Sequence, residues 1–98
     1  MRVDFKKFKD KEISIVATLI SCRKISENKY RLTWINVVNL KTLEYTLEFH
    51  NEYNKKLDKA VYKIIGNVYE YKRKNGTIDY SISIISIEKI EWFFTLSN

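Results

Sequence analysis

The segment 60–92, AVYKIIGNVYEYKRKNGTIDYSISIISIEKIEW, constrains the fold more than any other part of the sequence. Two runs rich in β-branched and aromatic residues are joined by a basic turn that contains Asn75-Gly76, a pair typical of β-hairpins. Gly66 interrupts the first run, and a lone glycine in a strand marks a bulge, a bend or the close approach of another backbone. Because small barrels need such bends, the segment predicts a compact β-barrel with a basic loop at one end.

The composition describes a small, basic protein with one domain, over residues 1–98. The 98 residues are 45% hydrophobic and 31% charged, which is ordinary for a folded domain of this size. Cys22 is the single cysteine, so no disulfide forms within the chain and a buried, reduced thiol is expected. The first twelve residues lack the apolar core of a signal peptide, and no apolar run is long enough to cross a membrane. We therefore expect a cytoplasmic protein.

Charge sets the expectation for a partner. The formal net charge of +6 favours a polyanion, either nucleic acid or a membrane surface. The first eleven residues form a basic arm, which is too short and too interrupted by aspartates for a membrane helix. Phe5 and Phe8 anchor this arm as an extra element of the barrel, or the arm is flexible and contacts phosphates; the sequence leaves both open.

Alternating hydrophobic residues predict three strands in the first half of the chain, over 13–25, 29–38 and 43–50. In the first strand one face carries Ile13, Ile15, Ala17 and Leu19. In the second, the alternation of Tyr30, Leu32 and Trp34 with polar residues changes at Ile35-Asn36, which predicts a bulge. In the third, we expect Leu43, Tyr45, Leu47 and Phe49 to face inward, and we expect the outward face to carry Glu44, Thr46, Glu48 and His50.

The spacing changes between the third and fourth strands. Tyr53, Leu57 and Ala60 recur at i, i+4 and i+7, which predicts a short helix over 51–60 with Asn51 as its N-cap. Two more strands follow, over 61–72 and 77–90. Residues 92–98 form an unusually apolar tail, and we expect Trp92, Phe93 and Phe94 to pack on the barrel or bind a partner.

An all-β chain with three strands, a short helix and two strands resembles the OB-fold, a five-stranded Greek-key barrel that often binds oligonucleotides. The segment Tyr62-Lys63-Ile64-Ile65-Gly66-Asn67-Val68 looks like the glycine-containing fourth strand of that fold, and the resemblance covers about residues 12–91. An SH3-like barrel, another small barrel or a β-meander capped by a helix are the alternatives.

The resemblance implies a ligand face over the second and third strands, flanked by the loop between strands one and two and the loop between strands four and five. Both loops are basic and would contact phosphates, through Arg23, Lys24, Lys29 and Arg31 in the first and Lys72, Arg73 and Lys74 in the second. The alternative interpretation is that these cations are simply solvated, as turn residues commonly are.

Aromatic side chains are the second requirement for binding single strands, because bases stack on them. Tyr69 and Tyr71 share the face of the fourth strand opposite Tyr62, Ile64, Gly66 and Val68, so they are expected to point outward beside the basic loop. Trp34 is assigned to the core, and Tyr30 is left open between the core and the ligand. Glu44 and Glu48 argue against this face, since carboxylates there would repel phosphates.

Catalysis is not indicated. His50 is the one histidine, so a histidine-based metal site or catalytic pair cannot form within one chain, and we expect no cofactor and no enzymatic activity. A glycine-rich phosphate loop, a CxxC pair and zinc-finger spacing are all missing from the sequence.

Two hypotheses for function result. The first is a module that binds single-stranded DNA, or RNA, in replication, repair or recombination. The second is an accessory subunit or inhibitor that docks on a polymerase, primase, helicase or nuclease, and that a phage or another mobile element encodes. The apolar tail favours the second hypothesis, as does the acidic outward face of the third strand, and a homodimer formed through the tail is a further alternative.

Overall fold

The computed structural model describes residues 5–90, which form one five-stranded sheet and a short 3-10 helix. The 3-10 helix spans Phe5–Phe8, and the strands are β1 (Glu12–Ser26), β2 (Lys29–Asn39), β3 (Tyr45–Tyr53), β4 (Val61–Lys72) and β5 (Ile78–Lys89). Their order in the sheet is β3-β2-β1-β4-β5, and every neighbouring pair is antiparallel. The expected all-β class with five strands is confirmed, and the sheet is not closed into a hydrogen-bonded barrel.

β1 lies at the centre of the sheet, where it pairs with β2 on one side and β4 on the other. The predicted inward residues of β1 are buried, as are those of β4, so both alternations are confirmed. Trp34 is fully buried at the middle of the core, as predicted. Its ring stacks on Phe49 at 6.1 Å and meets Tyr62 edge-on at 5.7 Å, while Phe5 adds an edge-on contact to Phe49 at 5.5 Å.

The bulge predicted at Ile35-Asn36 is present. Val16 pairs with Val38 but Thr18 pairs with Ile35, so β2 has one extra residue at this level. Asn36 adopts a left-handed conformation with φ of 51°, which short polar side chains tolerate better than apolar ones. After this residue, the side chains that β2 buries are Val37 and Asn39.

Gly66 is required by the close approach of β5. A Cβ atom at this position would lie 2.5 Å from Ile82 Cγ2 and 2.5 Å from the carbonyl oxygen of Ser83. The β4–β5 pairing also shifts by one residue between Ile65 and Gly66, which makes Ile85 the extra residue of β5. The close backbone approach and the bulge that the lone glycine predicted are therefore both found.

The predicted facing of β3 is wrong at its N-terminal end. Tyr45 and Leu47 are exposed and Thr46 is buried, while Leu43 lies before the strand and is also exposed. The reason is the bulge in β2. Trp34 pairs with Phe49 and Val37 pairs with Thr46, and all four side chains are buried. Along each strand the two buried residues are three positions apart, where simple alternation would give an even number. The two strands change face together, so the alternation that holds from Phe49 to Tyr53 does not extend to the N-terminal part of β3.

The helix predicted over 51–60 is also wrong. β3 continues to Tyr53 and residues 54–60 are irregular. Asn51 is buried in the strand, where its side chain bonds to the core, and does not cap a helix. Tyr53, Leu57 and Ala60 do pack against the core, so the apolar spacing marked their burial correctly without implying a helix.

The described part of the basic arm is an element of the fold. Phe5 is buried and Phe8 packs against the core. The Asp10 N–H donates to the Val68 carbonyl at 2.8 Å, and the Val68 N–H donates to the Lys11 carbonyl at 3.0 Å. These two bonds extend the backbone pairing on the β1 side of β4 beyond Glu12. Of the two alternatives for the arm, residues 5–11 follow the anchored one.

Candidate functional site

The seam between β3 and β5 is where the sheet could close, and side chains bridge it at one level. Ser81 Oγ donates to the carbonyl of His50 at 2.6 Å, and Asn51 Nδ2 donates to the carbonyl of Ile82 at 3.1 Å. Asn51 Oδ1 also accepts a 2.8 Å bond from Trp34 Nε1. Because residue numbers rise together in these contacts, β3 and β5 run parallel at the seam. We call this level the closed half of the seam.

A groove of about 850 Å³ occupies the other half of the seam, between β3 and the end of the β4–β5 hairpin. We call it the β3 groove. One wall is the N-terminal part of β3, the other is the hairpin, and the 3-10 helix borders both. The residues that line it are Phe5, Lys6, Tyr45, Thr46, Leu47, Glu48, Phe49, His50, Tyr71, Arg73, Asp79 and Tyr80.

The hairpin wall is held together by Asp79. Its carboxylate accepts from Arg73, with Nε at 2.8 Å, and from the hydroxyl of Tyr71 at 3.3 Å, while the Tyr80 N–H donates to it at 2.8 Å. Burial acts to raise the pKa of Asp79, but these hydrogen bonds, above all that from Arg73, hold the pKa below its ordinary value. Burial and the charge of Asp79 raise the pKa of Tyr71, so its hydroxyl keeps its proton. The hydrogen bonds to Asp79 therefore hold the Arg73 side chain on the hairpin wall.

The β3 wall has a hydrogen-bonded row of polar side chains. His50 Nε2 lies 2.9 Å from Glu48 Oε2, and His50 Nδ1 lies 3.0 Å from Thr33 Oγ1. Glu48 is thus paired, and Glu44 is paired with Lys7 at 2.8 Å. The hydrogen bond from Lys7 lowers the pKa of Glu44. Of the two carboxylates expected on the outward face of the third strand, Glu44 is offset by a lysine, and Glu48 stays exposed with a hydrogen bond to His50.

The β4–β5 hairpin end carries the aromatic pair that the sequence predicts. Tyr69 and Tyr71 lie side by side with ring centroids 6.1 Å apart, and Tyr69 is exposed. The Arg73 guanidinium lies 6.0 Å from the centre of the Tyr71 ring. Lys72 and Lys74 are exposed and form no ion pair within residues 5–90. The tight turn at Asn75-Gly76 is confirmed, with φ of 88° at Gly76.

The β1–β2 hairpin end is the second basic surface. Arg23 lies directly opposite Arg31, an arrangement of like charges that weakens the pairing of the strands. Both are exposed, as is Lys24, whereas Lys29 pairs with Glu52 at 3.5 Å. The sequence left Tyr30 open between the core and the ligand. Its side chain is half-buried and packs against the core, so it is intermediate between the two.

The two basic surfaces lie at opposite ends of the β1–β4 ladder. This ladder runs from Glu12–Asn67 to Thr18–Val61; the β4–β5 hairpin extends past the first pair and the β1–β2 hairpin past the second. A second depression of about 270 Å³ lies beside the β1–β2 hairpin, on the far side of the closed half. It is lined by Asn28 and Lys29 of the hairpin, by residues 52–54 at the end of β3, and by Ser83 and Ile84 of β5. A ligand that contacts both hairpins therefore has to span the length of the β1–β4 ladder.

Three residues of these surfaces were not predicted. Asp79 was missed because a two-residue Asn75-Gly76 turn would pair it with Lys72, whereas Arg73 bonds to Thr77 around a three-residue loop and Asp79 pairs with Tyr71. Asn51 was missed because its hydrogen bonds join distant strands, and Tyr45 was assigned to the core. Trp92, Phe93 and Phe94 lie outside the described residues.

Residues 5–90 contain no candidate metal-ligand cluster and no candidate membrane-spanning helix. No group of three or more histidine, cysteine, aspartate or glutamate side chains there is arranged to hold a metal ion. Nor does that part of the chain contain a helix of the length and hydrophobicity needed to span a bilayer. Comparison with protein-family models, with curated proteins and with solved structures gives no match for this chain.

Proposed function

We propose that this protein binds single-stranded nucleic acid through the end of its β4–β5 hairpin. The observation that carries the proposal is the exposed Tyr69 beside a fixed Tyr71, close to the exposed cations Lys72 and Lys74, which form no ion pair within residues 5–90. Bases of any sequence stack on aromatic rings, and lysines track the phosphates between them. The protein acts in this proposal as a binding module and not as an enzyme.

The fold supports the proposal by analogy. A five-stranded sheet with β1 at its centre and an incompletely closed β3–β5 seam is compatible with a partly open Greek-key barrel of the OB type. In barrels of that type, the loops corresponding to the β1–β2 and β4–β5 hairpins flank the ligand. The fold alone does not assign function, so the site carries the argument.

The contacts indicate a different role for each group of residues in the site. Tyr71 is oriented by Asp79 and Arg73, so it offers a stacking face with little loss of side-chain entropy. Arg73 serves this orientation and contributes less to phosphate binding than its two neighbours. Arg23, Lys24 and Arg31 form a second contact for strands long enough to follow the seam, with Lys29 and Tyr30 at its margin. Single-stranded DNA during replication, repair or recombination is the proposed setting, and RNA would make the same contacts.

Fluorescence anisotropy with labelled poly-dT oligomers at several salt concentrations tests the proposal. We expect Lys72→Glu/Lys74→Glu to weaken binding at least about tenfold and to reduce the salt slope by about 1 to 2. Lys63→Glu/Lys89→Glu is the matched control: it changes the net charge equally and lies at the other end of the same two strands. Equal losses in both variants would mean that net charge, and not this site, drives binding.

A second substitution separates stacking from charge. Tyr69→Ala should weaken binding of single strands about tenfold, while Tyr69→Phe keeps the ring and the affinity. Binding of the wild type to duplex that equals its binding to single strands would refute the proposal.

The accessory-subunit hypothesis keeps one supporting observation. The acidic face that favoured it is largely paired or buried, and the apolar tail lies outside the described residues. Tyr45 and Leu47, however, are exposed on β3, which is unusual for an edge strand. This surface is therefore the candidate site for a protein partner.

A further inference from the structure

The β3 groove follows the edge of a strand. Six consecutive residues of β3, from Tyr45 to His50, line it. Neighbouring side chains of a strand point to opposite faces of the sheet. A depression lined by all of them therefore lies beside the strand, where the backbone N–H and C=O groups project, and not over one face.

Both strands that border this edge lack a partner on the groove side. β3 and β5 are the two end strands of the sheet, and no backbone ladder joins them in residues 5–90. The side-chain bonds of Asn51 and Ser81 link them at one level only. Natural proteins usually protect such edges with charged side chains or proline. Here the exposed side chains of this part of β3 are the apolar Tyr45 and Leu47 beside one charged residue, Glu48, and Leu47 is 72% exposed.

The charges inside the groove balance one another. Lys6 and Arg73 are its cations and Glu48 and Asp79 its carboxylates, with Arg73 bonded to Asp79 and Glu48 to His50. A polyanionic phosphate backbone gains little in such a groove, whereas an uncharged backbone with apolar side chains suits it. The net positive charge lies outside, on Lys72 and Lys74 at the hairpin end.

We infer that the β3 groove binds an extended segment of a partner protein, which adds to β3 as an extra strand. This surface is additional to the nucleic-acid site proposed above. β3 and β5 run parallel across the seam, so a segment antiparallel to one is antiparallel to both, and antiparallel pairing is slightly the more stable. The six residues of the β3 edge correspond to an extended segment of about 20 Å.

The surroundings define the chemistry of that segment. Residues that flank Tyr45 and Leu47 on the partner strand should be aromatic or β-branched, because such cross-strand pairs are favourable. Proline is excluded, since it removes a ladder hydrogen bond. An antiparallel segment has its C-terminal end beside Tyr45 and the β4–β5 hairpin, where Lys72 and Lys74 favour acidic residues. The partner segment is thus apolar at alternate positions and acidic at its C-terminal end.

Selection from a library of random octapeptides displayed on phage tests the inference. Peptides enriched on the wild-type protein should share this pattern and bind Leu47→Lys at least about tenfold more weakly, because a lysine protects the edge. Leu43→Lys is the matched control: Leu43 is 74% exposed but does not line the groove, so binding should be unchanged. In NMR spectra, the selected peptides should shift and protect the amides of residues 45–49 and 78–80.

The inference fails if no selected peptide distinguishes Leu47→Lys from the wild type, or if substituting proline at the centre of a selected peptide leaves its affinity unchanged. It is also overturned if poly-dT shifts the same amides and displaces the peptides, which would assign the groove to nucleic acid. Concentration-dependent dimerisation lost in Leu47→Lys would assign it to a second copy of the chain. Since the oligonucleotide test uses Lys72, Lys74 and Tyr69, failure of either proposal can be recognised separately.

Discussion

The two halves of the seam between β3 and β5 are built differently. In the closed half, the side chains of Asn51 and Ser81 hold the strands together, and the surrounding residues are buried. In the open half, the β3 groove separates the strands, and apolar side chains of β3 face solvent. The same two strands therefore serve as core at one level and as exposed edges at the next.

Buried polar groups make this difference. Two side-chain hydrogen bonds replace the backbone ladder that a closed barrel would use, and a third connects Asn51 to Trp34 at the centre of the core. Among the described residues no buried side-chain nitrogen or oxygen is left without a hydrogen-bond partner. The closed half thus depends on a few specific bonds, whereas the open half has a backbone edge available to a ligand.

The largest effect is expected from Asn51→Ala, which breaks the closed half. The substitution leaves the buried Trp34 N–H and the Ile82 carbonyl without their partner. We expect the free energy of unfolding to fall by about 3 kcal/mol, because each unpaired buried group costs about 1–3 kcal/mol. Urea unfolding followed by tryptophan fluorescence measures the change.

Ser81→Ala is the smaller companion variant, since it removes only the bond to the His50 carbonyl. A loss of about 1 kcal/mol is expected. If Asn51→Ala were no more destabilising than Ser81→Ala, the connection from Trp34 to β5 would not hold the seam.

Gly66→Ala should have the next largest effect, because Gly66 lets β5 approach at the level of the closed half. The new Cβ would overlap the Ser83 carbonyl, which is backbone and cannot rotate away. A loss of about 2–3 kcal/mol follows from the overpacking. Gly76→Ala is the comparison: no atom lies within 4 Å of its added Cβ, and the positive φ alone costs about 1 kcal/mol. Thermal unfolding of both variants should therefore rank Gly66→Ala as the less stable, and the reverse order would contradict the close approach.

Local pattern predicted the interior strands of the sheet well. The inward faces of β1 and β4 follow simple alternation because both strands lie inside the sheet with one face on the core. The bulge at Asn36 and the role of Gly66 also have local signals, a change of period and a glycine in a strand. These features need no knowledge of distant residues.

The two halves of the β3–β5 seam could not be predicted in the same way, because their geometry comes from pairing between strands. The bulge in β2 was predicted, but its effect on β3 depends on the register that joins Val37 to Thr46. With that register known, Tyr45 and Leu47 would have been predicted to be exposed. Likewise, Asn51 resembles a helix cap in the sequence, and its bonds to Trp34 and Ile82 exist only once β2, β3 and β5 are assembled.

The smallest effect, Asp79→Asn, probes the hairpin wall of the open half through pH. The pKa of Asp79 is lower in the folded protein than its ordinary value of 3.8, so its ionised form stabilises the fold. That contribution is complete above the unfolded-state pKa and is lost as the pH falls through the folded-state pKa. At neutral pH we expect Asp79→Asn to lower Tm by no more than a few degrees, since the Arg73–Asp79 pair is exposed to solvent. The difference in Tm between the wild type and the variant should then shrink below pH 3.8 and disappear in stronger acid. A Tm difference that persists in acid would mean that Asp79 acts through the shape of the turn and not through its charge.

The same substitution tests the groove. Asp79→Asn should weaken peptide binding at neutral pH, because Tyr71 and Arg73 lose the carboxylate that positions them on the groove wall. Lys9→Met is the control: it removes an exposed ion pair with Glu70 away from the groove and should leave peptide binding unchanged.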